Sequence, residues 1–116
     1  MAKQYNQLPQ VAFSILLALS LKPRHGYEIM KQVGEDSKGK IKLAPGALYT
    51  SIKLLNEQGL VKELEDQLDA RRRYYQLTDK GRQELNAELE YYDNTVKLAK
   101  QRKVYEAFAG VAIWVN

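Results

Sequence analysis

Apolar positions change their spacing several times along the chain, and each spacing predicts an element. From Leu8 to Leu21 they are almost continuous. Val11, Ile15, Leu16 and Leu19 share one helical face, and Phe13 and Leu17 widen it. A helix apolar nearly all round is buried on several sides, so this first helix is expected in a core and against a dimer partner. Pro9 stands near its start, and Lys22-Pro23-Arg24 breaks it. His25–Val33 reads as a second helix, with Tyr27, Ile29, Met30 and Val33 supplying apolar bulk. Gly34–Lys40 reads as a loop. Ile41-Lys42-Leu43 alternates, which predicts a very short strand added to the sheet.

The next stretch organises the rest. Pro45 suits the first turn of a helix over Pro45–Gln58. Leu48, Ile52 and Leu55 lie on one face of it, and Gly46, Thr50, Lys53 and Glu57 lie on the other. Leu54 flanks the core, where it covers apolar neighbours or meets a partner. Gly59 suits the left-handed position past a helix end. Leu60–Glu65 and Arg71–Thr78 read as strands joined by a polar turn, Asp66–Ala70. Thr78 is a natural cap for a last helix over Asp79–Lys103, roughly 37 Å long at 1.5 Å per residue. Gly81 weakens its first turn. Leu85, Leu89, Tyr92, Val96 and Ala99 step by 4, 3, 4 and 3 residues, a coiled-coil seam of about two heptads. Tyr91, Leu98 and Val104 lie off that seam. Val104–Asn116 is apolar and aromatic, with Phe108 and the single Trp, Trp114, so it calls for burial.

Charge sharpens the picture. The formal net charge is +4, and residues 1–80 carry all of the surplus, with 13 Lys and Arg against 9 Asp and Glu. Residues 81–116 are balanced at 5 and 5. Basic excess on the helix–hairpin half suits an anionic partner. No cysteine is present, which excludes disulfides and thiolate chemistry and fits a cytoplasmic setting. The apolar run Val11–Leu21 is too short to span a bilayer, and no small-residue cleavage site follows it.

No Gly-rich phosphate loop, HExxH, paired-carboxylate or nucleophile motif occurs, so neither enzymatic activity nor a cofactor is expected. His25 is the single histidine. A metal site needs three or four ligands, so His25 reads as a helix cap or a packed loop residue. A short helix with a polar outer face, followed by a basic hairpin, suits a duplex: the helix fits a major groove and the hairpin follows phosphates. Candidate DNA contacts are Lys42 in the preceding short strand, Gly46, Tyr49, Thr50 and Lys53 on the helix, and Arg71, Arg72 and Arg73 on the hairpin. Lys38 and Lys40 either reach phosphate or stay solvated. Tyr49 can pack its ring while its hydroxyl meets a phosphate. Glu63, Glu65, Asp66 and Asp69 compete for the arginines, which leaves at least one for DNA.

Three motifs in order, HGYEIMKQV, PGALYTSIKLLNEQGLV and RRRYYQLTDKGRQEL, resemble the DNA-binding core of the PadR family of bacterial transcriptional regulators over roughly residues 8–90. One departure is Ala44, where that family often has serine or another cap before Pro-Gly; the missing cap costs about 1 kcal/mol. The resemblance implies a mainly α chain with a small β-hairpin wing: a winged helix-turn-helix domain over residues 1–78 and a dimerisation helix with an apolar tail over 79–116. It implies a repressor acting as a homodimer on double-stranded DNA, with Leu85, Leu89, Tyr92, Val96, Ala99, Phe108 and Trp114 at the dimer interface. It offers two uses for the tail, which folds over the partner's first helix or lines a pocket for a small aromatic effector. The rival reading is a winged-helix protein-interaction module without DNA binding.

Overall fold

The computed structural model describes residues 7–65 and 71–105. The Asp66–Ala70 turn and the interface residues Phe108 and Trp114 lie outside them. The chain is mainly helical, with a three-stranded antiparallel sheet. Helix α1 spans Gln10–Ala18. It starts two residues later than the apolar run because Pro9 holds an extended conformation as its N-cap, and Phe13 N donates to Pro9 O. Ala12, Ile15, Leu16 and Ala18 face the core.

Strand β1 is Arg24–His25, and here the structure corrects the sequence expectation. The third strand is this segment and not Ile41–Leu43. Arg24 Nε donates to Ala18 O at 2.7 Å, binding the segment to the end of α1. Ile41 N instead donates to Ser37 Oγ, which ties that stretch to a turn. Ile41 and Leu43 still pack against the core, so the alternation reports burial without strand pairing.

Helix α2 spans Gly26–Asp36 and is capped by His25, as expected of that histidine. Its Nδ1 accepts from Glu28 N, while His25 N donates to the Glu28 carboxylate, a reciprocal capping box. Gly34 does not stop the helix. The chain turns at Lys38 and Gly39, both at positive φ, and Gly39 N donates back to Gly34 O.

Helix α3 spans Pro45–Glu57, with Pro45 in its first turn and Ala44 as an N-cap that makes no side-chain bond. Leu48, Ile52 and Leu55 are its buried face. Gly59 adopts φ +76°, and Leu60 N closes the end on Leu55 O. Strands β2 (Val61–Glu65) and β3 (Arg73–Leu77) form the hairpin, with β3 central between β1 and β2. Val61, Tyr75 and Leu77 turn inward.

Helix α4 spans Asp79–Gln101, roughly 35 Å at 1.5 Å per residue. Thr78 Oγ1 caps it by accepting from Gly81 N at 2.9 Å. The glycine at 81 has a use that the sequence did not reveal: a Cβ there would collide with the Leu60 carbonyl oxygen and the Leu77 side chain. Its absence lets α4 lie directly on the junction between α3 and β2. Leu85 and Glu88 complete the buried face of α4.

Candidate nucleic-acid interface

Burial of Leu48, Ile52 and Leu55 turns the opposite side of α3 outward. Gly46, Tyr49, Thr50 and Lys53 are all exposed there. Lys42 is exposed just ahead of the helix N-terminus. The tilt of this face is set at both ends of the helix. Near its start, the Tyr49 hydroxyl is set against Gly26, where a side chain would collide with it. The hydroxyl therefore lies between α3 and the start of α2, while Tyr49 as a whole stays exposed. At the other end, Lys80 Nζ donates to Gln58 O at 2.9 Å, and Thr78 Oγ1 donates to Gly59 O at 2.6 Å.

The wing sorts the arginine triplet. Arg73 stands opposite Glu65 in the strand register and pairs with Glu63 at 3.5 Å and Glu65 at 3.7 Å. These pairs are half exposed and worth little in stability, but they offset the charge that Arg73 presents. Arg72 is exposed. Arg71, Arg72 and Arg73 line a groove with His25, Gly26, Tyr27, Tyr49 and Tyr75, between the start of α2, α3 and the wing. Burial, with Glu63 nearby, raises the Tyr75 hydroxyl above the ordinary tyrosine range, against the opposing pull of Arg73. Tyr75 therefore stays neutral on the groove floor.

Tyr27, expected in the apolar bulk of α2, is instead 68% exposed on the groove wall. Its ring stacks on His25 at 6.5 Å, and His25 in turn meets the edge of Tyr74 at 5.4 Å. Helical spacing carried the signal: Ile29 and Val33 are one turn apart, and Tyr27 falls about 160° from Ile29 around the axis at 3.6 residues per turn.

The last helix divides the expected interface. Leu85 is 4% exposed and belongs to the chain's own core, which removes it from a surface seam. Tyr92 is half buried, edge-on to Phe13 at 5.4 Å, and donates to Glu88 Oε2 at 2.8 Å. Leu89 at 40% and Val96 at 38% are exposed, and so are the off-seam Tyr91 and Leu98. Ala99 is half buried. Among the described residues no group of His, Cys, Asp and Glu could hold a metal ion, and no helix is long and apolar enough to cross a membrane.

The family model described as the transcriptional regulator PadR-like family matches residues 15–87. Among solved structures, a PadR family transcription regulator from Clostridium difficile is 26% identical with a TM-score of 0.68, over 80% of this chain and 97% of that one. A transcriptional regulator from Clostridium thermocellum is 25% identical with a TM-score of 0.66, over 78% and 90%. Bordetella bronchiseptica BpsR, whose DNA binding is regulated by 6-hydroxynicotinic acid, shares the fold at 17% identity and a TM-score of 0.65, over 92% and 70%. A search of curated proteins finds no match.

Proposed function

This chain belongs to the PadR-like family of transcriptional regulators, and from that premise we propose that it represses transcription as a homodimer bound to a near-palindromic operator. The observation that carries the reading is the alignment of one exposed helix face with one basic groove. Thr50 and Lys53 are exposed on α3, and Tyr49 of the same helix lines the groove that Arg72 of the wing and Tyr27 of α2 also line. In a duplex this spacing puts α3 in the major groove, with the intervening phosphate strand running along the arginine-lined groove. Thr50 and Lys53 read base edges. Lys42, Gly46, Tyr49 and the arginines contact the backbone.

Residues 1–78 supply the DNA contacts. The helix and tail over 79–116 supply the dimer, through Leu89, Val96 and Ala99 together with Phe108 and Trp114. The first turns of α4 serve both units, because Gly81 and Leu85 are buried in the DNA-binding half. A groove between α1, α2 and α4, walled by Phe13, Leu17, Val33, Ile41 and Tyr92 and also by the polar Gln10, Ser14 and Asp36, has room for a small aromatic effector. The protein acts in the cytoplasm, where its DNA is.

Titration against DNA from the chain's own upstream promoter at two salt concentrations tests the reading. Each phosphate contact adds about 0.9 to the slope of log affinity against log salt, so binding should weaken steeply between the two. A protein-interaction module without DNA contact would give no binding, or binding indifferent to salt and sequence.

A further inference from the structure

Resting on the homodimeric reading above, we infer that Thr78 and Lys80 are positioning residues for operator binding, which lock α3 to α4 so that the dimer fixes the distance between its two recognition helices. One hydroxyl serves both helix ends. Thr78 Oγ1 donates to Gly59 O at 2.6 Å, beyond the end of α3, and accepts from Gly81 N at 2.9 Å, in the first turn of α4. Lys80 Nζ crosses the same joint to Gln58 O at 2.9 Å, and Thr78 N donates to Leu60 O at 3.1 Å. Beneath them Gly81 brings the backbone of α4 against the Leu60 carbonyl. These contacts hold the joint from its side and from below, which resists rotation better than any one bond.

Geometry makes that resistance matter. Half-sites one helical turn apart need recognition helices about 34–36 Å apart. Helix α3 has 13 residues and is roughly 20 Å long. A swing of about 10° at its end displaces the far end by about 3.4 Å, the rise of one base pair along a strand. A loosened joint therefore blurs spacing by a whole step while leaving each base contact intact.

The chain has no cysteine, so Lys53→Cys carries a single spin label on each recognition helix. Pulsed electron–electron distance measurement on the dimer should give a narrow distribution, and Lys80→Ala or Thr78→Val should broaden it. Thr78→Ser, which keeps the hydroxyl, should restore the narrow form. On an operator recovered by selection from random DNA, the same two variants should lose roughly tenfold of the preference over a copy with one base pair inserted between half-sites. Affinity for an isolated half-site should not change. Dimeric variants with unchanged width and unchanged spacing preference would overturn the inference. Should Thr78→Val fail to fold, Lys80→Ala decides, because that side chain is exposed. A wild-type chain that sediments as a monomer would instead remove the homodimeric reading, and this inference with it.

Discussion

The hydroxyl of Tyr49 on the recognition helix occupies the space that a side chain at Gly26 would need. Two helices of the DNA-binding unit are held at one angle by an aromatic tip resting on a glycine. Gly26→Ala should therefore cost about 1–3 kcal/mol, the usual penalty for overpacking. Adding Tyr49→Ala should cost less than the sum of the two single changes, since it vacates the contested space. Denaturant unfolding of the single and double variants checks this, and strict additivity would show that the two residues do not meet.

In the wing, the arginines should not be equivalent. Arg72→Ala should lower the magnitude of the salt slope by about 1 on any DNA sequence. Arg73→Ala should do less, because Glu63 and Glu65 already hold that guanidinium. Changing both glutamates to glutamine should strengthen DNA binding at low salt. Equal losses at Arg72 and Arg73 would show that the ion pairs dissolve when DNA arrives.

Two exposed residues separate sequence reading from backbone grip. Thr50→Asp should abolish the preference for the operator, with stability within about 0.5 kcal/mol of wild type. Tyr27→Ala should weaken binding to operator and unrelated DNA alike. Footprinting and competition against nonspecific DNA distinguish the two. An aspartate variant that still protects the same site would misassign the recognition face.

For the dimer, Leu89 and Val96 are better probes than Tyr92, whose ring and hydroxyl are engaged within the chain. Glutamate at both positions should split the dimer, and operator affinity should fall by about 10²–10⁴ as the second half-site contact ceases to be intramolecular. Sedimentation and titration on one sample check both effects. A folded monomer at full affinity would remove the dimeric mechanism.

Much of this was legible in the chain. Leu48, Ile52 and Leu55, Pro45, Gly59 and the Thr78 cap are local signals, and α3, the hairpin and the start of α4 follow from them. What escaped was set by partners distant in sequence. Two residues, Arg24–His25, carry no strand signal of their own and become a strand because β3 lies beside them. Gly81 looked like a weak helix residue because its value lies in Leu60, a neighbour in space. Leu85 fits a heptad and a core face equally well, and only burial decides between them. Tyr27 was misplaced although its angular position was available from spacing alone.

The pairing of β1 with β3 also bears on how the molecule forms. Arg24 meets Tyr75 across about fifty residues of chain, whereas β2 ends at Glu65 and β3 begins at Arg73. Closing the longer loop costs more entropy before any contact rewards it, so the hairpin is expected to form before β1 joins it, and φ-values near zero at Arg24 with larger ones in β2 and β3 would check this order. Helices α2 and α3 lie within that loop, and their packing through Leu48, Ile29 and Val33 shortens the span to be closed. On that order the sheet is completed after the hairpin, and the basic groove between helix and wing is completed with it. A partly folded chain carries the arginines but has no groove to hold a phosphate strand.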